Sequence, residues 1–416
     1  MFFVFVLLFI FIVICYKFRF YYWFLSLLRE CYFYIRFHVY LYKLLRTMNT
    51  AAFNLAASMF ESSTSNNNSL SDTDTDSYIL GIKYKTSNDA YAINGDVISR
   101  FWFTYRSGFA PIGGPSGPTK DTGWGCMMRC GQMMFAEAYL RFFIPADFRW
   151  RADLTDSTYW EILNMFSDKR HSTYSIHQIV LMGNSEGKSI GQWFGPNTIA
   201  QVLRRIASNE FDKQVRVHVA MDNTLILDEI RKLCQITSQI PTSIKKSNDS
   251  PTTWKPLVII IPLRLGLNGV NAEYIDQLKL CFRLPQTLGF LGGKPNHAHY
   301  FIGYVENDEL LYLDPHVTQA HVDANVISDD SSYHCDRVNR MKFSGLDPSL
   351  ALAFACKTEN EFDDLITKLR QNLPSRPMFE ICESNPFDAL AEQTDEHEGT
   401  YNSFQLSILY HCLCLF

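Results

Sequence analysis

Charge is scarce in this sequence: Asp, Glu, Lys and Arg make up 19% of its 416 residues, and the net charge is -5. No basic stripe runs along it, which leaves no reason to expect nucleic-acid binding. The eleven cysteines lack paired spacing. A secreted disulfide scaffold is thereby disfavoured and a reducing compartment indicated. Cys126 and Cys130 lie one helical turn apart, but no second such pair accompanies them, so a structural zinc site is a weak reading. Aromatic residues, by contrast, are plentiful at 14%. The composition is globular, and the length suffices for one large core plus a small second domain or insertion.

The charge is unevenly spread. Residues 1–47 hold six Lys or Arg and one Glu, a net of +5, which leaves about -10 for residues 48–416. Phe2 to Cys15 is uninterrupted apolar sequence, short of the roughly 20 residues of a membrane span unless Lys17 and Arg19 snorkel. It has neither the basic n-region nor the cleavage site of a signal peptide. Residues 1–47 therefore read as a membrane anchor or, the favoured expectation, as sequence upstream of a start at Met48. Residues 48–77 include SSTSNNNSLSDTDTDS and read as a flexible acidic lead-in. Residues 78–381 form the expected folded domain, with a polar insertion at Ser238 to Thr253, and 382–416 an expected flexible tail.

Within the domain, periodicity predicts helices over Val97–Ser107, Cys126–Phe143, Ser157–Phe166, Pro196–Ala207, Thr224–Thr237, Ala272–Phe282 and Glu359–Leu373. It predicts strands over Arg216–Met221, Leu257–Leu263, His299–Val305, Leu310–Leu313 and Ala351–Cys356. Helices gather before residue 250 and strands after it, an α+β pattern with the Cys126 helix packed on a later antiparallel sheet.

The stretch DTGWGCMMRCGQ, Asp121 to Gln132, carries the chemistry. Glycines permit a tight turn into a helix that begins at Cys126, where free amides and the helix dipole favour a thiolate. The bland alternative is a buried core cysteine. A reactive thiol needs an imidazole to accept its proton and a group to orient that imidazole. In Asp314-Pro315-His316, residues i and i+2 of an extended segment face the same cleft. His297 and His299 compete as the base, and position at a strand start favours His299.

Five ordered motifs, GWGCMMRCGQMMFA, SIGQWFGPNTIAQVL, IPLRLGL, LGGKPNHAHYFIGYV and LYLDPH, together with FWFTYR at residues 101–106 and LDPSLALAFACKTENEF at residues 346–362, resemble the autophagy-related cysteine proteases called autophagins. The resemblance spans about Tyr78 to Ile381. It implies a papain-like α+β fold with a small auxiliary subdomain and a triad of Cys126 as nucleophile, His316 as base and Asp314 as orienter. It adds Tyr105 as an oxyanion donor beside the Cys126 amide. It also implies a gate formed by Trp193 and the opposing loop Lys294, Pro295, Asn296 and His297, and substrate contacts by Arg264 and Leu267. His297 stands where the family pattern leads one to expect a small residue.

The implied substrate is a ubiquitin-like autophagy modifier of the GABARAP class, trimmed to expose its terminal glycine and later released from phosphatidylethanolamine. The implied enzyme is a cytoplasmic monomer that touches autophagosomal membranes only through its lipidated substrate. It needs no metal or organic cofactor and binds no nucleic acid. Phe387-Asp388-Ala389-Leu390 fits the aromatic-x-x-aliphatic tail motif through which family members bind the modifier. Two alternatives are a catalytically silent binder of the modifier and a transglutaminase-like acyltransferase. The four intact site residues count against the first, and the order Asp before His against the second.

Overall fold

The computed structural model describes residues 75–85, 89–153, 156–208, 214–237, 252–294, 297–322, 329–335 and 337–385. Its strands, in chain order, are β1 (Asp76–Ile79), β2 (Ile82–Lys85), β3 (Tyr105–Ser107), β4 (Arg216–Val219), β5 (Thr224–Ile226), β6 (Gln235–Thr237), β7 (Thr252–Trp254), β8 (Leu257–Arg264), β9 (Thr287–Lys294), β10 (His297–Val305), β11 (Glu309–Leu313), β12 (Thr318–Ala320), β13 (Asn339–Lys342), β14 (Ser349–Cys356) and β15 (Glu380–Cys382). The helices are α1 (Ala90–Ile98), α2 (Cys126–Phe143), α3 (Ser157–Phe166), α4 (Ile176–Gly183), α5 (Pro196–Ser208), α6 (Leu227–Cys234), α7 (Ile275–Arg283) and α8 (Glu359–Asn372).

Nine strands make the main sheet, with the path β13-β11-β10-β9-β14-β8-β4 and β1-β2 attached to β10. The sheet is antiparallel except where β4 joins β8 in parallel. β10 is paired on one side by β11; on the other, β9 covers its first half and β1 its second.

Side-chain alternation sorts the two faces of this sheet. Along β14, Ala351, Ala353 and Ala355 join the core built with α2 to α5, while Leu350, Leu352, Phe354 and Cys356 join the core built with α6 to α8. The three alanines are small enough to let α5 lie close, and the larger residues fill the opposite layer. The long helix α2 packs on β9 and β10 and is almost wholly buried. This places its N-terminus at the end of β10 where the histidines lie.

Two expectations require correction. Val97–Ser107 is not a helix: α1 ends at Ile98 and β3 begins at Tyr105. Phe101, Phe103 and Tyr105 are all buried in the same core, a period-2 pattern that fits extended chain. Thr224–Thr237 is not one helix either, for α6 is flanked directly by β5 and β6. The β-branched residues at both ends favour extended pairing. Elsewhere the bounds agree to within a few residues, as in α2 and α3. Of the polar insertion, Thr252 and Thr253 belong to β7 and the rest lies outside the described residues.

Candidate active site

Cys126 is the first residue of α2, after Gly125 as N-cap. The approach turn needs its glycines at two points. Gly123 has φ +88, a left-handed conformation that L side chains rarely adopt. A Cβ on Gly125 would meet Asp121 Oδ2 at 2.4 Å. No side chain caps α2 and no acid occupies its first turn. The dipole at the helix start is thus left to the Cys126 sulfur.

Asp121 ties this turn to its surroundings. Fully buried, it accepts from the Arg106 amide at 2.6 Å and from Arg129 Nε at 2.7 Å. Arg129 also donates to Asp168 at 2.8 Å. The network locks β3, which carries Tyr105, against the start of α2. Removing one partner would strand a buried charge at a cost of about 3–5 kcal/mol. No role for Asp121, Arg129 or Asp168 was read from the sequence; an acid and a base flanking the cysteine within one motif were the available signal.

The opposite wall comes from the end of β11. His316 Nδ1 pairs with Asp314 Oδ1 at 2.5 Å, and the His316 amide donates to the same oxygen at 3.0 Å. Trp102 Nε1 donates to the Asp314 carbonyl at 2.7 Å, and the Tyr105 amide donates to the Pro315 carbonyl at 3.0 Å. β12, which follows at once, pairs in parallel with β3. The carboxylate-imidazole segment and the tyrosine strand are therefore stitched into one piece.

Three groups converge on the Cys126 sulfur. Burial alone would raise its pKa, but hydrogen bonds from the His316 imidazole, the Ala298 amide and the Tyr105 phenol outweigh it and lower the value. His316 is moved the other way: burial opposes its charge, yet hydrogen bonds to Asp314 and Cys126 raise its pKa to about 10. Asp314 stays below the usual carboxylate range despite partial burial, because it is bonded by His316. A thiolate-imidazolium pair held by a carboxylate can attack an acyl carbon and then protonate the leaving group. The Ala298 contact is a backbone one, which no side-chain pattern could have announced.

Tyr105 is buried, and its hydroxyl has no nitrogen or oxygen partner within hydrogen-bonding geometry among the described residues. Burial first, then the adjacent Cys126, holds the phenol protonated. Its ring meets that of His316 edge-on at 5.5 Å. The donor it offers is directed at the Cys126 sulfur.

The competing histidines are close by. His299 Nε2 lies 4.0 Å from Asp314 Oδ1, and burial, incompletely offset by Asp314, lowers its pKa to about 4. His297 is exposed, with its ring 5.3 Å from that of His316. His299, Asp314 and His316 are close enough to hold a metal ion. Binding there through His316 Nδ1 would displace its bond to Asp314. Cys130 is fully buried, and burial, with Cys126 next, drives its pKa well up. It is a packed thiol.

The other expected site residues are more dispersed. Trp193 lies just before α5, packed against the core that contains Cys126, with its indole Nε1 buried and unpartnered among the described residues. Lys294 pairs with His297 across the β9-β10 hairpin; Pro295 and Asn296 lie outside the described residues. Arg264 ends β8 and donates to the Leu267 carbonyl at 3.1 Å, and Leu267 is 82% exposed. Phe387 and Leu390 lie outside the described residues.

Residues 90–368 match the family model of the peptidase C54 catalytic domain. The cysteine protease ATG4B of Xenopus laevis is 48% identical over 323 residues, covering 74% of this chain and 84% of its own length. The ATG4B cysteine protease of Gallus gallus is 48% identical with the same coverage. The cysteine protease ATG4A of Homo sapiens is 44% identical over 338 residues, covering 76% of this chain and 84% of its own.

Proposed function

Because the chain belongs to the peptidase C54 family, and is thus an autophagy-related cysteine peptidase of papain-like fold, we propose that Cys126, His316, Asp314 and Tyr105 are its catalytic residues. The observation that carries this reading is the hydrogen-bonded chain from the Cys126 sulfur through His316 to Asp314. The Cys126 thiolate adds to the carbonyl carbon of a glycine residue, and the carbonyl electron pair moves to oxygen. That oxyanion accepts hydrogen bonds from the Tyr105 hydroxyl and the Cys126 amide. Collapse breaks the C–N bond, and the amine leaves with the proton of the His316 imidazolium. His316 then takes a proton from water, whose hydroxide adds to the thioester carbon and breaks the C–S bond, so that the glycine carboxylic acid departs, loses its proton to solvent, and the thiolate-imidazolium pair is restored.

The substrate in this reading is a ubiquitin-like autophagy modifier of the GABARAP class. One amide cleaved is the peptide bond after its terminal glycine; the other joins that glycine to phosphatidylethanolamine. Trp193 and residues 294–297 act as the gate that admits only a slim glycine-ended peptide. His297, near His316, makes one side of that gate bulkier. Arg264 and Leu267 contact the folded modifier, which suits a cation beside an exposed apolar residue. Phe387 and Leu390 supply a second contact from the tail.

The full chain should shorten a modifier precursor that carries residues beyond the glycine, and should release the modifier from vesicles bearing its phosphatidylethanolamine conjugate. Cys126→Ala should abolish both, as gel mobility and mass spectrometry would register. Undiminished cleavage by that variant would refute the mechanism. Trimming without release from vesicles would confine the activity to precursors.

A further inference from the structure

Strand β4 ends the path of the main sheet, and among the described residues nothing pairs with its outer edge. The register fixes which groups face outward. The Arg216 amide donates to Pro256 and the Ala220 amide to Ile260, so residues 216, 218 and 220 turn their backbone groups toward β8. By alternation, the amides and carbonyls of Val217 and Val219 point to the open edge. A groove of about 540 Å³ runs there, lined by Val217–Val219, by Arg204 and Arg205 of α5, and by Glu229 and Leu233 of α6. Arg205 is held by Glu186 at 2.6 Å; Arg204 is exposed and forms no ion pair among the described residues. One wall is thus basic, and the other carries Ile226 and Leu233 beside Glu229, whose carboxylate is already met by Asn385.

The chain itself arrives at this groove. The Asp228 amide donates to the Glu383 carbonyl at 3.0 Å, and Asn385 Nδ2 donates to Glu229 Oε1 at 3.4 Å. Phe387 comes two residues later, within about 7 Å of extended chain. Residues 386–398, PFDALAEQTDEHE, hold five acidic residues and no Lys or Arg. In extended form Asp388, Leu390 and Glu392 share one side and Phe387, Ala389 and Ala391 the other. That alternation matches a groove with arginines on one wall and Leu233 on the other.

We propose that residues 387–392 add in cis as a further strand on the open edge of β4, with Asp388 and Glu392 against the α5 arginines and Phe387 against Leu233. Backbone bonds to Val217 and Val219 give the attachment and the two walls give its register. While docked, Phe387 and Leu390 are withheld from any other partner. The proposal stands whether or not those residues recognise the modifier.

Amide hydrogen exchange of the full chain, read residue by residue, tests it. The Val217 and Val219 amides should exchange about tenfold or more slowly in the native chain than in Arg204→Glu or in Phe387→Ala/Leu390→Ala. The His218 amide, which faces β8, should be equally slow in all three and so reports intact folding. A synthetic peptide of residues 385–398 added to the double variant should restore protection of Val217 and Val219. Equal exchange in the native chain and both variants overturns the proposal. So does protection that rises with protein concentration, which would mean that a second copy covers the edge.

Discussion

His299 near the start of β10 and His316 beyond the end of β11 lie with ring centroids 5.3 Å apart, yet their environments push them in opposite directions. Both are buried enough for desolvation to disfavour the charged ring. His316 has Asp314 at 2.5 Å and the Cys126 sulfur as partners, and its pKa rises to about 10. His299 has the same carboxylate at 4.0 Å, and its pKa falls to about 4. The difference between 2.5 and 4.0 Å is that between a charge-assisted hydrogen bond and a weakened Coulomb attraction. Position at a strand start favoured His299 as the base; partner geometry favours His316.

The most direct way to break this contrast is to remove each ring in turn. His316→Ala should lower kcat/KM by about 10⁴, because base, acid and thiolate stabiliser go together. His299→Ala should change it less than about tenfold. The reverse ranking, read from initial rates on a modifier precursor, would hand the base to His299. Asp314→Asn comes next, with a loss of about 10²–10⁴ and a change of pH profile. With the carboxylate gone, the alkaline limb of kcat/KM, where His316 loses its proton, should move from near pH 10 toward neutrality. An unchanged alkaline limb would mean that Asp314 does not set the basicity of His316. Tyr105→Phe should cost about 10²-fold in kcat with KM little changed, since the phenol would act on the oxyanion alone. A KM effect without a kcat effect would make Tyr105 a binding residue.

The two sides of the cleft differ in how plainly the sequence announced them. The helix side was legible: a glycine turn, a cysteine and an unbroken run of helix formers closed by Pro145 gave α2 with its observed bounds. Leu310–Leu313 running into Asp314-Pro315-His316 gave the strand end and, by alternation, the shared cleft. β9 was missed because Thr287–Lys294 carries three glycines and reads as loop. Its Gly289 has φ +70, and a Cβ there would meet the Phe301 carbonyl at 2.1 Å, so the glycine is a packing requirement of the sheet. α4 was also missed, although Ser175 caps it by accepting from the Gln178 amide at 3.2 Å. Tyr105 reads alone as a core aromatic. Only the tertiary pairing of β3 with β12, 213 residues apart by the register Tyr105 to Thr318, carries its hydroxyl to the thiol. The convergence of Ala298, Tyr105 and His316 on one sulfur comes from three distant segments, and no local pattern encodes it.

The smallest expected effect sharpens the same contrast through stability. His299 has a folded-state pKa near 4, below the ordinary 6.5, so the unfolded chain takes up its proton first. Its contribution to stability is complete above pH 6.5 and is lost as pH falls from 6.5 through 4, by up to about 3 kcal/mol. His316 has the opposite sign: its raised pKa gives a contribution complete below pH 6.5 and lost as pH rises through about 10. His299→Phe should therefore flatten the acid side of a denaturant-midpoint profile, and His316→Ala the alkaline side. His218, lowered to about 4 by burial and then by Arg204, remains in both variants, so the informative quantity is the difference from the native chain at each pH. If native protein and His299→Phe lose stability in parallel between pH 7 and 4, His299 is not held neutral by its site. The opposed titration of two neighbouring rings would then have to be abandoned, even with the catalytic ranking intact.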